Sequence, residues 1–193
     1  MTKKEIVQMN DALSVLVGQP LQDFTRAGAI LMLDFGELIE LEGFKFARKG
    51  GIAHDENGNL VRTKKKHGKF GINSICSMRF IHGNDVILSF SDIYIPIDEL
   101  NNKEGFNAEN FDWRTIGNTI FDEGMDKHFR RIFDDYIVKS VGVGKFGDLT
   151  IIFENDCVLE FFSDTSGGSE NWRFGETTSC ESLIVTSSGI VTE

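Results

Sequence analysis

The segment Gly142-Val143-Gly144-Lys145-Phe146-Gly147 constrains the fold of this chain more than any other. It fits the Gly-x-Gly-x-x-Gly pattern of a dinucleotide-binding loop, which must be followed by a helix because the N–H groups of the helix N-terminus hold the pyrophosphate. The preceding residues are rich in β-branched side chains, and residues 149–153, Leu-Thr-Ile-Ile-Phe, have the composition of a strand. The sequence therefore predicts a β-hairpin here, with glycines that permit a tight reversal.

The remaining segments predict a β-rich α+β fold. Apolar residues at helical spacing predict helices near residues 3–15 and 123–135, the first with a Thr2–Glu5 capping box and the second with Asp122 as its N-cap. An exposed hairpin or long loop is predicted over 42–70, with the basic run Lys64-Lys65-Lys66-His67 at its tip. Strands are predicted at 27–33, 38–41, 72–81, 86–97, 136–143, 149–153, 157–162, around Trp172, and at 183–185.

Two details of register follow from the positions of the apolar residues. The apolar phase changes within 86–97, which predicts a bulge or bend near Ser91–Asp92. The loop between the strands 149–153 and 157–162 is predicted to have an odd length, because an even one would place Glu160 in the core.

Polar residues 99–121 predict a linker between an N-terminal β-rich half, 1–98, and a C-terminal half, 122–193, made of a helix and a β-meander. The two halves can still pack as one domain. Gly-Lys-Phe-Gly occurs at both 68–71 and 144–147, followed by Met-Arg-Phe at 78–80 and Trp-Arg-Phe at 172–174. The shared order suggests the hypothesis that the two antiparallel β units arose by internal duplication.

The net charge of −10 argues against nucleic acid or an anionic membrane surface as a partner, because both reward a basic face. A partner attracted by charge would be a basic protein. No apolar run approaches the roughly 20 residues of a membrane span, and the first residues lack a secretory signal, so a cytoplasmic location is expected. The oligomeric state is left open.

The patterns of known catalytic and metal sites are missing or misplaced. Asp34-Phe35-Gly36 spells the metal-binding triplet of protein kinases but precedes the glycine loop, and Phe146 stands where a phosphate loop needs serine or threonine. The histidines are scattered, and the three cysteines form no Cys-x-x-Cys pair, so we expect reduced, mostly buried thiols. No catalytic residue, cofactor or metal is predicted. The four histidines are His54, His67, His82 and His128, and the three cysteines are Cys76, Cys157 and Cys180.

Both tryptophans precede an arginine, at Trp113-Arg114 and Trp172-Arg173. In a strand this pattern indicates a buried tryptophan beside an outward arginine, and the alternative is an exposed patch of aromatic and arginine side chains, which are enriched at binding hot spots. The acidic pair Asp122-Glu123 suits a helix N-terminus, and it could also serve a binding site. We carry all six residues forward as candidate interaction residues.

Four short motifs resemble an uncharacterised bacterial protein family. The family pattern runs Arg-Ala-small, Phe-Gly, Cys-x-Trp-Arg and a late Trp-Arg, and Met78 replaces its first tryptophan in this chain. The resemblance covers residues 13–174 and implies no catalytic residues, since the family has no assigned activity. The matching segments are Arg26-Ala27-Gly28, Leu33-Asp34-Phe35-Gly36, Cys76-Ser77-Met78-Arg79 and Trp172-Arg173-Phe174.

Small acidic bacterial proteins of this kind include immunity partners of secreted toxins, by analogy only. The sequence therefore favours a non-catalytic binding module, of the immunity type, whose acidic face meets a basic partner. The alternative is a small-ligand-binding protein or hydrolase-type enzyme with a carboxylate and arginine pocket between the halves, built from Asp122 or Glu123 with Arg173.

Overall fold

The computed structural model of the protein describes residues 1–44, 53–129 and 135–193. A six-stranded and a five-stranded antiparallel sheet confirm the predicted β-rich α+β fold with two antiparallel units. The helices are α1 (Lys3–Leu13), α2 (Asp98–Asn101) and α3 (Ile120–His128), with short 3-10 helices at Ser14–Leu16, Phe90–Tyr94 and Ala108–Asn110. The strands are β1 (Leu21–Ala27), β2 (Ile30–Phe44), β3 (Arg62–Ser74), β4 (Ser77–His82), β5 (Asp85–Ser89), β6 (Val138–Val143), β7 (Leu149–Phe153), β8 (Cys157–Phe162), β9 (Glu170–Glu176), β10 (Ser182–Thr186) and β11 (Gly189–Thr192).

Both sheets combine strands from the two sides of residues 99–121. The six-stranded sheet has the order β1-β2-β3-β9-β10-β11, and the five-stranded sheet has the order β5-β4-β8-β7-β6. The chain passes from the first sheet to the second at Ile75–Cys76, so the single strand predicted over 72–81 is two strands. Every second residue from Ile72 to Phe80 is buried, and this unbroken alternation conceals the crossing from sequence reasoning.

One cluster of buried apolar side chains draws on both sheets and on the helices α1 and α3. Phe80 of β4 is fully buried in it, and its ring contacts Phe129, Tyr136 and Phe153 at centroid distances of 4.7, 5.8 and 5.9 Å. Within the described ranges, no helix is long and apolar enough to cross a membrane.

Both main helices begin with a capping box. The predicted Thr2–Glu5 box opens α1. Helix α3 begins at Ile120 because Thr119 is its N-cap and Asp122 is the third helical residue, so the prediction of Asp122 as N-cap is wrong by three positions. Aspartate suits either end of such a box, which leaves the sequence ambiguous. The helix ends at His128, and residues 130–134 of the predicted 123–135 helix lie outside the described residues.

The apolar run 27–33 contains a turn and not a continuous strand. Gly28 has φ +61° and separates β1 from β2, which continues to Phe44 with an irregularity between Phe35 and Leu38. The prediction of one strand here is wrong because apolar residues flank the turn on both sides. Strand β1, which sequence reasoning missed, carries polar residues on its exposed face.

The basic run Lys64-Lys65-Lys66-His67 lies within β3. The prediction that it forms the tip of a hairpin or loop is therefore wrong. Lys64 pairs in register with Glu42, and its Nζ lies 2.8 Å from a carboxylate oxygen of Glu40. Complementary charges on facing strands stabilise this solvent-exposed pair of strands, although the composition of the segment is typical of a loop. The turn predicted at 55–59 is confirmed by the Asp55 N–H, which donates to the carbonyl of Asn59, while residues 45–52 lie outside the described residues.

Two further hairpins test the predicted register. The turn after His82 is confirmed, but β5 ends at Ser89, and the phase change near Ser91–Asp92 is the 3-10 helix Phe90–Tyr94 instead of a bulge. The odd loop is confirmed: residues 154–156 connect β7 to β8, and Ile151 pairs with Leu159 inside the core. At the C-terminus the predicted strand 183–185 is β10, and β11 was not predicted.

The predicted hairpin at 142–147 joins β6 to β7. Its reversal is closed by the N–H of Gly144, which donates to the carbonyl of Asp148 at 2.8 Å, and Gly147 has φ +90°. The other Gly-Lys-Phe-Gly segment, 68–71, lies within β3. The same four residues thus form a turn in one place and a strand in the other, so this match carries no argument for duplication.

Replacing Gly147 by alanine is expected to lower the free energy of unfolding by about 2 kcal/mol, through the left-handed backbone and crowding of the new methyl group. A Cβ at this position would lie 2.8 Å from a methyl carbon of Val185. Gly144→Ala is the matched control, because its Cβ would have only ordinary contacts and its φ is not positive. Urea denaturation measures both, and equal losses would contradict the assignment of strain to Gly147.

Candidate interaction surface

Residues 98–126 hold most of the net charge of the chain. They contain eight aspartates and glutamates against Lys103 and Arg114, a net charge of −6 out of the total of −10. All the carboxylates except Asp122 are exposed. The charge is thus concentrated on the segment that joins β5 to the second half of the chain.

Short backbone ladders hold this segment in place. Pro96 and Thr119 form an antiparallel bridge, and the N–H of Ile120 donates to the carbonyl of Ile95 at 2.9 Å. Between these points the chain forms α2 and the 3-10 helix Ala108–Asn110. The two ends of the segment predicted to be a linker are therefore hydrogen-bonded to each other, and the chain continues from there into α3.

A buried ion pair fastens the segment to the six-stranded sheet. The Arg26 guanidinium donates from Nε to Asp122 Oδ1 at 2.7 Å and from a terminal nitrogen to Oδ2 at 2.6 Å. The two side chains are only 2% and 8% exposed. Asp122 Oδ2 also accepts hydrogen bonds from the N–H of Gly117 and the hydroxyl of Thr119.

Burial alone would raise the pKa of Asp122, but the hydrogen bonds from Arg26 and Thr119 hold it below its usual range. Asp122 is therefore charged and fully engaged in the structure. It is a structural anchor and is not available to an external ligand.

An apolar patch lies among the exposed carboxylates. The ring of Trp113 meets that of Tyr94 at a centroid distance of 5.0 Å, and the Arg114 guanidinium lies 5.3 Å from the Trp113 ring centre. Tyr94 is 47% exposed. Ile95, Ile116 and Ile120 are also exposed. We call these six residues the aromatic patch.

Most carboxylates around the aromatic patch lack a cationic partner. None of Asp98, Glu99, Glu104, Glu109, Asp112 and Glu123 forms an ion pair with another side chain in the described part of the chain. Glu123 lines a concavity of about 720 Å³ beside α3, together with Asp92 and Ile120. These six carboxylates and the aromatic patch together are the acidic surface.

The structure places the six candidate interaction residues in different environments. Trp113, Arg114 and Glu123 belong to the acidic surface, and Asp122 anchors it from below. Trp172 is fully buried in β9, and its indole N–H donates to the carbonyl of Gly147 at 2.7 Å. Arg173 faces outward beside it, so the interpretation of a buried tryptophan with an outward arginine holds for this pair.

The carboxylate and arginine pocket of the alternative hypothesis is not assembled from its proposed members. Asp122, Glu123 and Arg173 line three different cavities. Arg173 is engaged by Glu170, whose carboxylate accepts from its Nε at 2.7 Å. Sequence reasoning missed Tyr94 and Arg26, since their roles depend on partners about twenty and a hundred positions away.

The described residues offer little reactive chemistry. Burial raises the pKa of the Cys76 thiol to about 11, and burial also raises that of Cys157, so both thiols stay protonated at neutral pH. Cys180 is exposed, and all three cysteines are free. Over residues 1–44, 53–129 and 135–193, no three histidine, cysteine or acidic side chains are grouped so that they could hold a metal ion.

Comparison of the chain with protein-family models, with curated proteins and with solved structures found no match.

Proposed function

We propose that this protein is a non-catalytic binding module that uses the acidic surface to bind a basic protein. The observation that carries the proposal is the set of unpaired, exposed carboxylates around the aromatic patch. Opposite charges on two proteins accelerate their encounter and exclude wrongly charged partners. Tryptophan, tyrosine and arginine supply the contacts that dominate binding energy at interface centres, and the acidic surface presents half-buried Trp113 beside exposed Tyr94 and Arg114.

The anchoring of the acidic surface supports the same function. Preorganised loops lose less conformational entropy on binding than mobile ones. The Arg26–Asp122 pair and the Ile95–Ile120 hydrogen bond fix the segment on the folded core before a partner arrives. A module of the immunity type, which masks the basic surface of a toxin, has these requirements.

The complex is expected to weaken about tenfold when the ionic strength rises from about 0.05 to about 0.5 M, because exposed charges are screened over a shorter distance. The protein would be tagged and used to capture its partner from a lysate of the source organism and from co-expression with the product of the adjacent gene. The captured protein would then be purified and titrated by calorimetry. A partner that is not basic, or an affinity independent of salt, would contradict the proposal.

Substitutions distinguish the contribution of the acidic surface to binding from that of the rest of the molecule. Glu99→Lys with Glu104→Lys is expected to weaken binding at least about tenfold through like-charge repulsion, and Trp113→Ala by about thirtyfold through loss of a central contact. Glu154→Lys with Glu181→Lys is the matched control, since it makes the same change in net charge at exposed turns elsewhere. Equal weakening by the control would show that total charge, and not this surface, attracts the partner.

A further inference from the structure

The outward face of the six-stranded sheet carries a trough of about 820 Å³. One row of paired residues crosses it from strand to strand, Asp34 on β2, Gly71 on β3, Gly175 on β9 and Ser182 on β10. At a strand spacing of about 4.8 Å, the row spans about 14 Å between Asp34 and Ser182. Gly71 leaves bare backbone in the middle of the row, whereas a Cβ at Gly175 would lie 3.0 Å from Ser182 Oγ and from the carbonyl oxygen of Glu181.

The glycine at position 71 is not required by the fold. Its φ is not positive, and a Cβ there would meet only one atom within 4 Å, a backbone oxygen of Leu33 at 3.9 Å. By contrast, a Cβ at Gly68 in the same strand would overlap the backbone nitrogen of Phe35. A glycine in a strand with open space above it is typical of a place where a ligand approaches the backbone.

Uncommitted hydrogen-bonding groups line the trough. His67 Nδ1 donates to Asp34 Oδ2 at 3.1 Å, because a carboxylate can only accept. The second oxygen of Asp34 and Nε2 of His67 have no partner among the described residues, and neither has the side chain of Asn73 or Thr25. Met32 and Ala27 add an apolar margin.

The charged side chains that line the trough balance in number, with Asp23, Asp34 and Glu176 against Lys65, Lys66 and Arg173. Arg173 is paired with Glu170 and lies near Glu193, and Lys69 lies 3.9 Å from Glu176. His67 is held by Asp34. A neutral ligand with many hydroxyl groups leaves these pairs intact, and it can both donate to Asp34 and accept from Asn73.

We propose that this trough binds a neutral saccharide lying across the strands from β2 to β10. Its hydroxyl groups would be shared among Asp34, His67 and Asn73, its apolar ring face would rest on Met32, and the glycine floor would let the rings approach the backbone. The span of the row suits an oligosaccharide better than a single sugar ring. The trough shares none of its lining residues with the acidic surface, and the inference is independent of the proposed function.

The test is a nitrogen–proton NMR titration of the full chain with glucose, galactose, mannose, N-acetylglucosamine and their linear dimers and trimers. We expect at least one series to shift the amide signals of Gly71, Asn73 and Gly175, with an affinity that rises with chain length. The substitution Gly71→Leu fills the floor and is expected to abolish these shifts. Gly43→Leu is the matched control, because Gly43 also lies in a strand of this sheet and nothing surrounds its Cβ position.

A second variant guards against misfolding of the first. Asp34→Asn keeps the shape of the side chain but removes the charge that polarises sugar hydroxyl groups, so it is expected to weaken binding while the melting temperature stays close to that of the wild type. No response to any of these saccharides would overturn the proposal. Shifts that persist in Gly71→Leu, or that glucuronate or inorganic phosphate reproduces at lower concentration, would overturn the site or the neutral class of ligand.

Discussion

Replacing Arg26 by alanine is expected to lower the free energy of unfolding by about 3–5 kcal/mol, since it leaves the buried carboxylate of Asp122 without its cation. Urea denaturation followed by circular dichroism would measure the loss. The double variant Arg26→Met with Asp122→Leu is expected to recover much of it, because the uncompensated charge is gone. Lys64→Ala, which removes the exposed partner of Glu40, is the control and should change stability by less than about 1 kcal/mol.

The Arg26–Asp122 pair makes the stability of the folded protein depend on pH in the acid range. The pKa of Asp122 in the folded state lies below the ordinary aspartate value of 3.8, so the pair contributes its full stability above about pH 4. This contribution disappears as the pH falls through the folded-state pKa. A stability curve of the Arg26→Met, Asp122→Leu variant should fall less steeply below about pH 4 than that of the wild type. Parallel curves would contradict the role assigned to the pair.

Phe80→Ala is expected to cost about 3–5 kcal/mol, through lost burial and the cavity left among three aromatic rings. Its ring is fully buried against Phe129, Tyr136 and Phe153, within the apolar cluster that both sheets and the helices α1 and α3 share. Phe146→Ala is the control, because that side chain is 69% exposed at the tip of the β6–β7 hairpin and should change stability by less than about 0.5 kcal/mol. Thermal and urea denaturation would both report the difference.

An intermediate loss is expected for Phe80→Leu, which keeps most of the apolar volume but loses the edge-to-face ring contacts. A loss as large as that of Phe80→Ala would show that ring geometry, and not volume, dominates at this position. Loss of cooperativity instead of a shift of the midpoint would contradict a core shared by the two sheets.

Local patterns predicted those parts of the fold that depend on neighbours in sequence. The capping box at Thr2, the hairpin at Gly144–Gly147 and the odd loop after Phe153 all follow from short-range geometry and from the cost of burying Glu160. The β-rich class follows from the same patterns.

The errors occur where distant contacts decide the structure. Lys64 belongs to a strand because Glu40 and Glu42 lie opposite it, and the chain leaves one sheet for the other at Ile75–Cys76 without any change in hydrophobic alternation. Thr119 is the N-cap of α3, while Asp122, three residues later, completes the capping box and binds Arg26 in the core. No local propensity contains this information.

The sequence predicted only part of the candidate interaction surface. Trp113 and Arg114 were selected because tryptophan and arginine are the residue types of binding hot spots, and the structure adds Tyr94 beside them. The trough could not have been found from sequence, because Asp34, Gly71 and Gly175 meet only through the pairing of β2, β3 and β9.

The crossing at Ile75–Cys76 has a consequence for how the chain reaches this structure. Strand β3 pairs with β9, and β4 pairs with β8, so residues as far apart in sequence as Ser74 and Trp172 must come together before either sheet is complete. Such long loops are closed late and make folding slow. A chain cut within residues 99–121 would yield two fragments with unpaired sheet edges, which are prone to aggregate alone and should regain the native fold only when mixed.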